Sequence, residues 1–151
     1  MTVPAEVRTA LAGRPEVGAW DPMFPLLTVD TTGFPHVCLL GRAELSTDAD
    51  HVYAVLASPT TVGNLKRTGL ATLIVIGATA AAYCKLTAGP GQLERDGLHG
   101  FEFTLAEVKF DSAAVDLTPP RFQVDARLTE SERWQDSAAL LAELAGNHTI
   151  H

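Results

Sequence analysis

Ser58-Pro59-Thr60-Thr61-Val62-Gly63-Asn64-Leu65-Lys66-Arg67-Thr68-Gly69 is the stretch on which the fold turns. It predicts one short helix between two strands. Ser58 can accept a hydrogen bond from a first-turn N–H that has no partner inside the helix. Pro59 suits the first helical position, where a missing N–H costs nothing. Gly69 can take the left-handed conformation that ends a helix. The run before it, His51 to Ala57, is rich in Val and Tyr-containing, and the run after it, Leu70 to Ile76, is apolar except for Thr72. Two readings of the helix start are open. It is a structural connector, or its free N–H groups, flanked by Ser58, Thr60 and Thr61, cradle a phosphate.

Composition narrows the function classes. A chain of 151 residues with 46% hydrophobic residues can bury a real core and fits one domain, 1–151. Eleven basic against 18 acidic residues give a net charge of −7, which argues against a protein that tracks nucleic-acid phosphates. No membrane partner is expected either. The apolar run Leu70 to Tyr83 is too short to span a bilayer, and no basic start followed by an apolar run marks a signal peptide. Two cysteines, Cys38 and Cys84, make no disulfide framework, which points to a reducing cytoplasm.

Outward from the helix, the chain reads mainly as strands. Thr2–Ala12 is a short helix, and Gly13–Pro25 is a linker whose Trp20, Met23 and Phe24 anchor on the core. Leu26–Asp30 is a first strand, Thr31–Phe34 its turn, and Pro35–Leu45 a second strand that Gly41 interrupts by a bulge or a close approach. His51–Ala57 is the third strand. Leu70–Ile76 is the fourth, apolar enough to expect cover on both sides. Thr79–Ala88 is the fifth, ended or bent by Gly89-Pro90-Gly91, and Leu93–Gly100 reads as a charged loop or a short turn. In Phe101–Leu117 the apolar residues switch from odd to even positions near Ala106-Glu107, which predicts a β-bulge there. Phe122 and Val124 suit a short extended piece. Thr129–Ala145 reads as one helix opened by a Thr129–Glu132 capping box, followed by a loose tail at Asn147–His151. The expected architecture is a six-stranded antiparallel barrel spanning 24–117, with an N-terminal helix and linker at 1–23, one helix inserted after strand three and a C-terminal helix at 129–145.

Motifs for chemistry are sparse. There is no nucleophile elbow, phosphate-binding P-loop or zinc-protease pattern. His36 and Cys38 share a strand face and could hold half a metal site, but no second pair stands at ligand spacing, so they read as core or cavity residues. Cys38 has no evident base partner. Lys85 is the one cation on an otherwise apolar strand. It suits an anionic partner or, equally, the blocking of an exposed edge.

Three segments carry a likeness: Gly33-Phe34-Pro35-His36-Val37, Tyr53-Ala54-Val55-Leu56-Ala57-Ser58 and Asn64-Leu65-Lys66-Arg67-Thr68-Gly69. In this order the chain resembles the pyridoxamine 5′-phosphate oxidase-like family of FMN-binding split barrels, over roughly Phe24 to Leu117. The resemblance implies a homodimer with FMN in a groove between subunits. It sets Ser58, Thr60, Thr61 and Asn64 around the phosphate, and His36, Cys38 and Leu40 along the strand that carries ring and phosphate contacts. Where oxidases of the family carry Arg and Lys, this chain has Thr60 and Thr61, and His36 stands at an arginine position. The C-terminal region lacks their Arg-rich substrate motif, so pyridoxamine phosphate oxidation is not expected. The resemblance implies a flavin-dependent oxidoreductase acting on a small molecule, with deazaflavin as a variant cofactor. The alternative is a non-catalytic protein on the same barrel that holds haem, another ligand or none.

Overall fold

The computed structural model describes residues 1–112 and 114–147. His148 and His151, and most of the tail expected to be loose, lie outside the described residues. Helix α1 (Ala5–Leu11) buries Val7 and Leu11. Strands β1 (Trp20–Pro22), β2 (Phe24–Val29) and β3 (Pro35–Leu40) follow, then a 3-10 turn at Arg42–Glu44. After β4 (Leu45–Thr47) and β5 (His51–Leu56) comes α2 (Pro59–Thr68). Next are β6 (Leu70–Ile76), β7 (Ala80–Arg95), β8 (Leu98–Ser112), β9 (Arg121–Gln123), α3 (Ala126–Ser131) and α4 (Trp134–Gly146).

Seven strands form one antiparallel sheet in the order β3-β2-β6-β7-β8-β5-β4. The edge strands β3 and β4 are joined by the 3-10 turn and not by a ladder, so the curled sheet is a split barrel. Alternation along each strand sends Leu26, Leu73, Cys84 and Phe103 into a common interior, which Val62 and Leu65 of α2 and Val7 and Leu11 of α1 complete. On the outer side of β5 and β8, Tyr53, Val55 and Leu98 meet Leu140, Leu141 and Leu144 of α4. Gly100 permits that approach, since a Cβ there would lie 2.8 Å from Leu144 Cδ1.

The inserted helix forms as its sequence predicts. Ser58 Oγ accepts from Thr61 N–H, Pro59 opens the helix, and Gly69 closes it at φ 69°. The bulge also falls where the parity switch sets it: Lys85 pairs with Glu107 and Leu86 with Leu105, which leaves Ala106 extra.

Other expectations need correction. The second strand stops at Leu40, because the chain turns at Gly41 into the 3-10 turn, so the main sheet has seven strands and not six. Gly41 does mark a close approach, with a Cβ there 3.3 Å from Phe122 Cζ. Of the two readings of Leu93–Gly100 the turn holds and the loop does not: it is a hairpin tip, with Asp96 (φ 53°) and Gly97 (φ 84°) as its two-residue turn. The C-terminal helix is two helices. Asp125 caps α3 by accepting from Arg127 and Leu128 N–H, so Thr129 lies inside the helix rather than at its start. The break is Arg133, left-handed at φ 54°, whose guanidinium donates to Asp96 O at 2.5 Å and Asp136 Oδ2 at 3.0 Å. Trp20 is 58% exposed, beneath Arg121 at 5.3 Å, while its strand β1 pairs with β9. The outer face of β6 is open: Leu70 is exposed, and Thr72 and Ile74 are partly so.

Gly89-Pro90-Gly91 bends β7 without ending it, so that Ala88 pairs with Phe103 and Gln92 with Phe101. The bend makes room for the buried carboxylate of Glu102, which lies 3.2 Å from His51 Nε2. A Cβ on Gly91 would overlap Glu102 Oε2 and lie 3.1 Å from its Cβ. Gly91→Ala is therefore expected to cost about 1–3 kcal/mol in urea unfolding, as overpacking does. Combined with Glu102→Ala, the two losses should fall short of their sum by more than about 0.5 kcal/mol; simple additivity would rule out the clash as the cause.

Candidate functional site

The β2–β3 register fixes which side chains meet α2. Leu26 lies opposite Cys38, Thr28 opposite His36 and Phe24 opposite Leu40, so His36, Cys38 and Leu40 all face the side that α2 covers. Asn64 Nδ2 donates to Thr28 Oγ1 at 3.0 Å, and Arg67 Nη1 donates to Asn64 Oδ1 at 3.2 Å. Arg67 also donates to the Val29 carbonyl. The Thr61 hydroxyl donates to Ser58 Oγ at 3.1 Å and hydrogen-bonds with Cys38.

These bonds divide the residues singled out in the sequence. Thr61 is 0% and Asn64 3% exposed, and both side chains are engaged inside the protein. Ser58 is half-buried and acts as the cap. Thr60 is exposed on the first turn and is the side chain there open to a phosphate. A glutamate at position 61 would be enclosed and would test folding; at position 60 it would test anion binding. Burial, first, pushes the Cys38 thiol above its ordinary value, against the Thr61 hydrogen bond, and the Glu44 and Glu132 carboxylates push it further. A thiol so held is a poor nucleophile. Among the described residues no three His, Cys, Asp or Glu side chains form a metal site.

Lys85 stands apart from the α2 group. It pairs across the ladder with Thr72, which in turn flanks Leu27, and all three lie on the outer face. That face holds an open groove of about 420 Å³, within the range of small-molecule sites. Leu27, Val29, Pro35, Leu70 and Ala106 give it carbon walls, and Lys85 is its one cation among the described residues. Lys85 Nζ lies 3.3 Å from Glu107 Oε2, with both side chains more than half exposed, so water screens the pair and leaves the ammonium available. Alternation along β2 and β3 sets Leu27, Val29 and Pro35 of this groove on the face opposite His36, Cys38 and Leu40. Lys85, and Thr72 within the otherwise apolar run Leu70–Ile76, were its marks in the sequence.

A curled antiparallel sheet whose edge strands do not pair with each other, with a short capped helix packed on β2 and β3, is a split barrel, and this chain has that fold. Solved structures of similar fold include a conserved hypothetical protein from Mycobacterium tuberculosis, with a TM-score of 0.53 at 11% identity over 74% of this chain and 86% of that one. An FAD-binding protein from Mesorhizobium loti gives 0.51 at 11% identity, over 76% of this chain and 98% of that one. The flavin reductase of styrene monooxygenase from Pseudomonas putida S12 gives 0.50 at 8% identity, over 65% and 94%. No protein-family model and no curated protein matches the sequence. At these identities the likeness is one of fold, in a group that contains flavin reductases and flavin-binding proteins. No helix among the described residues is long and apolar enough to cross a membrane.

Proposed function

We propose that the protein is a flavin-dependent oxidoreductase that holds FMN, or a deazaflavin, in the outer-face groove and works as a homodimer. The groove carries the reading: carbon walls of the size for a planar ring, lined by one cation among the described residues, on a fold that flavin proteins share. Leu27, Val29 and Leu70 would exclude water from one face of the ring. Lys85 would oppose the negative charge of the cofactor. When bound, the cofactor supplies the redox chemistry, and the protein supplies position and charge. Exposed Phe34, Val37 and Leu39 along β3, beside Val29 and Leu70, form an apolar face that a second copy would cover.

The absorbance spectrum of the purified protein tests this directly. Flavin bands, or saturable binding of added FMN by a protein with the light-scattering mass of two chains, are the expected result. Lys85→Glu should weaken FMN binding by about ten- to a hundredfold, the value of one charge-assisted contact. A colourless protein that ignores FMN and deazaflavin would overturn the reading. A second reading, a cofactor-free or haem-holding barrel, is favoured by one observation: the Thr61 and Asn64 side chains are spent on internal bonds. A Soret band would decide for haem.

A further inference from the structure

A second groove, of about 280 Å³, opens where β3 ends, and it shares no lining residue with the first. The space equals that of roughly nine waters in the liquid. One wall is Leu39, Leu40 and the 3-10 turn; the other is Phe122, Leu128 and Trp134. Its two charged groups come one from each wall. Glu44 belongs to the 3-10 turn and Glu132 to the α3–α4 junction, and both are anions. We propose that this groove binds an organic ammonium ion, an amine with a compact apolar body, its charge between Glu44 and Glu132 and its body against Phe122 and Trp134.

The site is built for a cation that the chain itself does not supply. No lysine, arginine or histidine lines the groove among the described residues. Arg42, the first residue of the turn, is committed to Asp21 at 2.6 Å. The hydrogen bond shown to the Glu44 carboxylate is a long one, from Gly41 N–H at 3.3 Å. Burial, and then Glu132, hold the Glu44 carboxyl up to about 7, against that hydrogen bond. The other titratable group that feels Glu44 is Cys38, on β3. An ammonium would relieve the repulsion between the two carboxylates. Phe122 and Trp134 meet edge to face at 6.2 Å and both line the groove, and the face of an aromatic ring attracts cations. The Trp134 indole N–H is buried and has no acceptor among the described residues.

Calorimetric titration of the full-length protein with phenethylammonium, at a pH above the Glu44 transition, tests the proposal. One-site saturable binding is expected, at least about tenfold tighter than that of neutral phenethyl alcohol, which corresponds to a single favourable charge contact. Glu44→Gln should abolish this preference. Glu132→Gln, at an exposed position that leaves the fold untouched, should reduce it about threefold. Binding should also weaken about tenfold once acidification protonates Glu44. Equal affinity for the alcohol, unchanged affinity in both variants, or no saturation by about 10 mM amine would overturn it. Because the two grooves are separate, this outcome does not depend on whether FMN binds.

Discussion

Arg42→Met is expected to destabilise the protein by about 3–5 kcal/mol, because it strands a buried carboxylate. Asp21 is 4% exposed and receives three donations from the Arg42 guanidinium: Nη2 to Oδ1 at 2.6 Å, and Nε to Oδ1 and Oδ2 at 3.2 and 3.1 Å. The same guanidinium donates from Nη1 to Ala12 O at 2.6 Å, beyond the end of α1. One side chain thus ties the barrel corner to both ends of the linker between α1 and β1. In a thermal scan the midpoint should fall by roughly 10 °C. Arg42→Lys should recover only part of the loss, since one ammonium cannot span both carboxylate oxygens and the Ala12 carbonyl. Pairing Arg42→Met with Asp21→Leu should restore more, because the buried charge is then gone. If Arg42→Met costs less than about 1 kcal/mol, the pair is no more than a surface ion pair.

The second large effect is a pH dependence carried by Glu44. Its folded carboxyl titrates at about 7 against an ordinary value of 4.5, chiefly because burial disfavours the charged form. Between these values the native state keeps a proton that the unfolded state has lost, so stability falls as pH rises through this window and levels off above it. The shift corresponds to a loss on the order of 3 kcal/mol. Glu44→Gln keeps an oxygen for Gly41 N–H and removes the ionisation. It should match the wild type at acid pH and exceed it by that amount at mildly alkaline pH, in urea unfolding across the range. Parallel curves for the two proteins would place the Glu44 charge in water. A carboxylate that costs stability where the protein works is more readily understood as part of a binding site than as part of the scaffold.

Local chemistry was legible wherever neighbouring residues settle the conformation. Ser58, Pro59 and Gly69 bound α2 because cap, φ restriction and left-handed glycine each act within one turn. The parity change between Leu105 and Val108 located the bulge at Ala106, because strand faces alternate strictly. The Asp96-Gly97 turn was one of two readings of its segment, since the charged flanks suit a loop as well. The break at Arg133 had no local mark, neither Gly nor Pro. It is held by Asp96 and Asp136, one of them a hairpin tip distant in the chain.

The sequence by itself determined the strand pattern, the capped helix between β5 and β6, and the likeness to a split barrel, since each rests on spacing and backbone preference within a few residues. Only the tertiary structure decided which strand faces stay open. It enclosed Thr61 and Asn64, set Lys85 on the face opposite His36, Cys38 and Leu40, and brought Glu44 and Glu132 from distant segments to one groove. The reason is physical: local rules fix the alternation of side chains along a strand, but which side becomes the interior depends on how the whole sheet curls and what covers it.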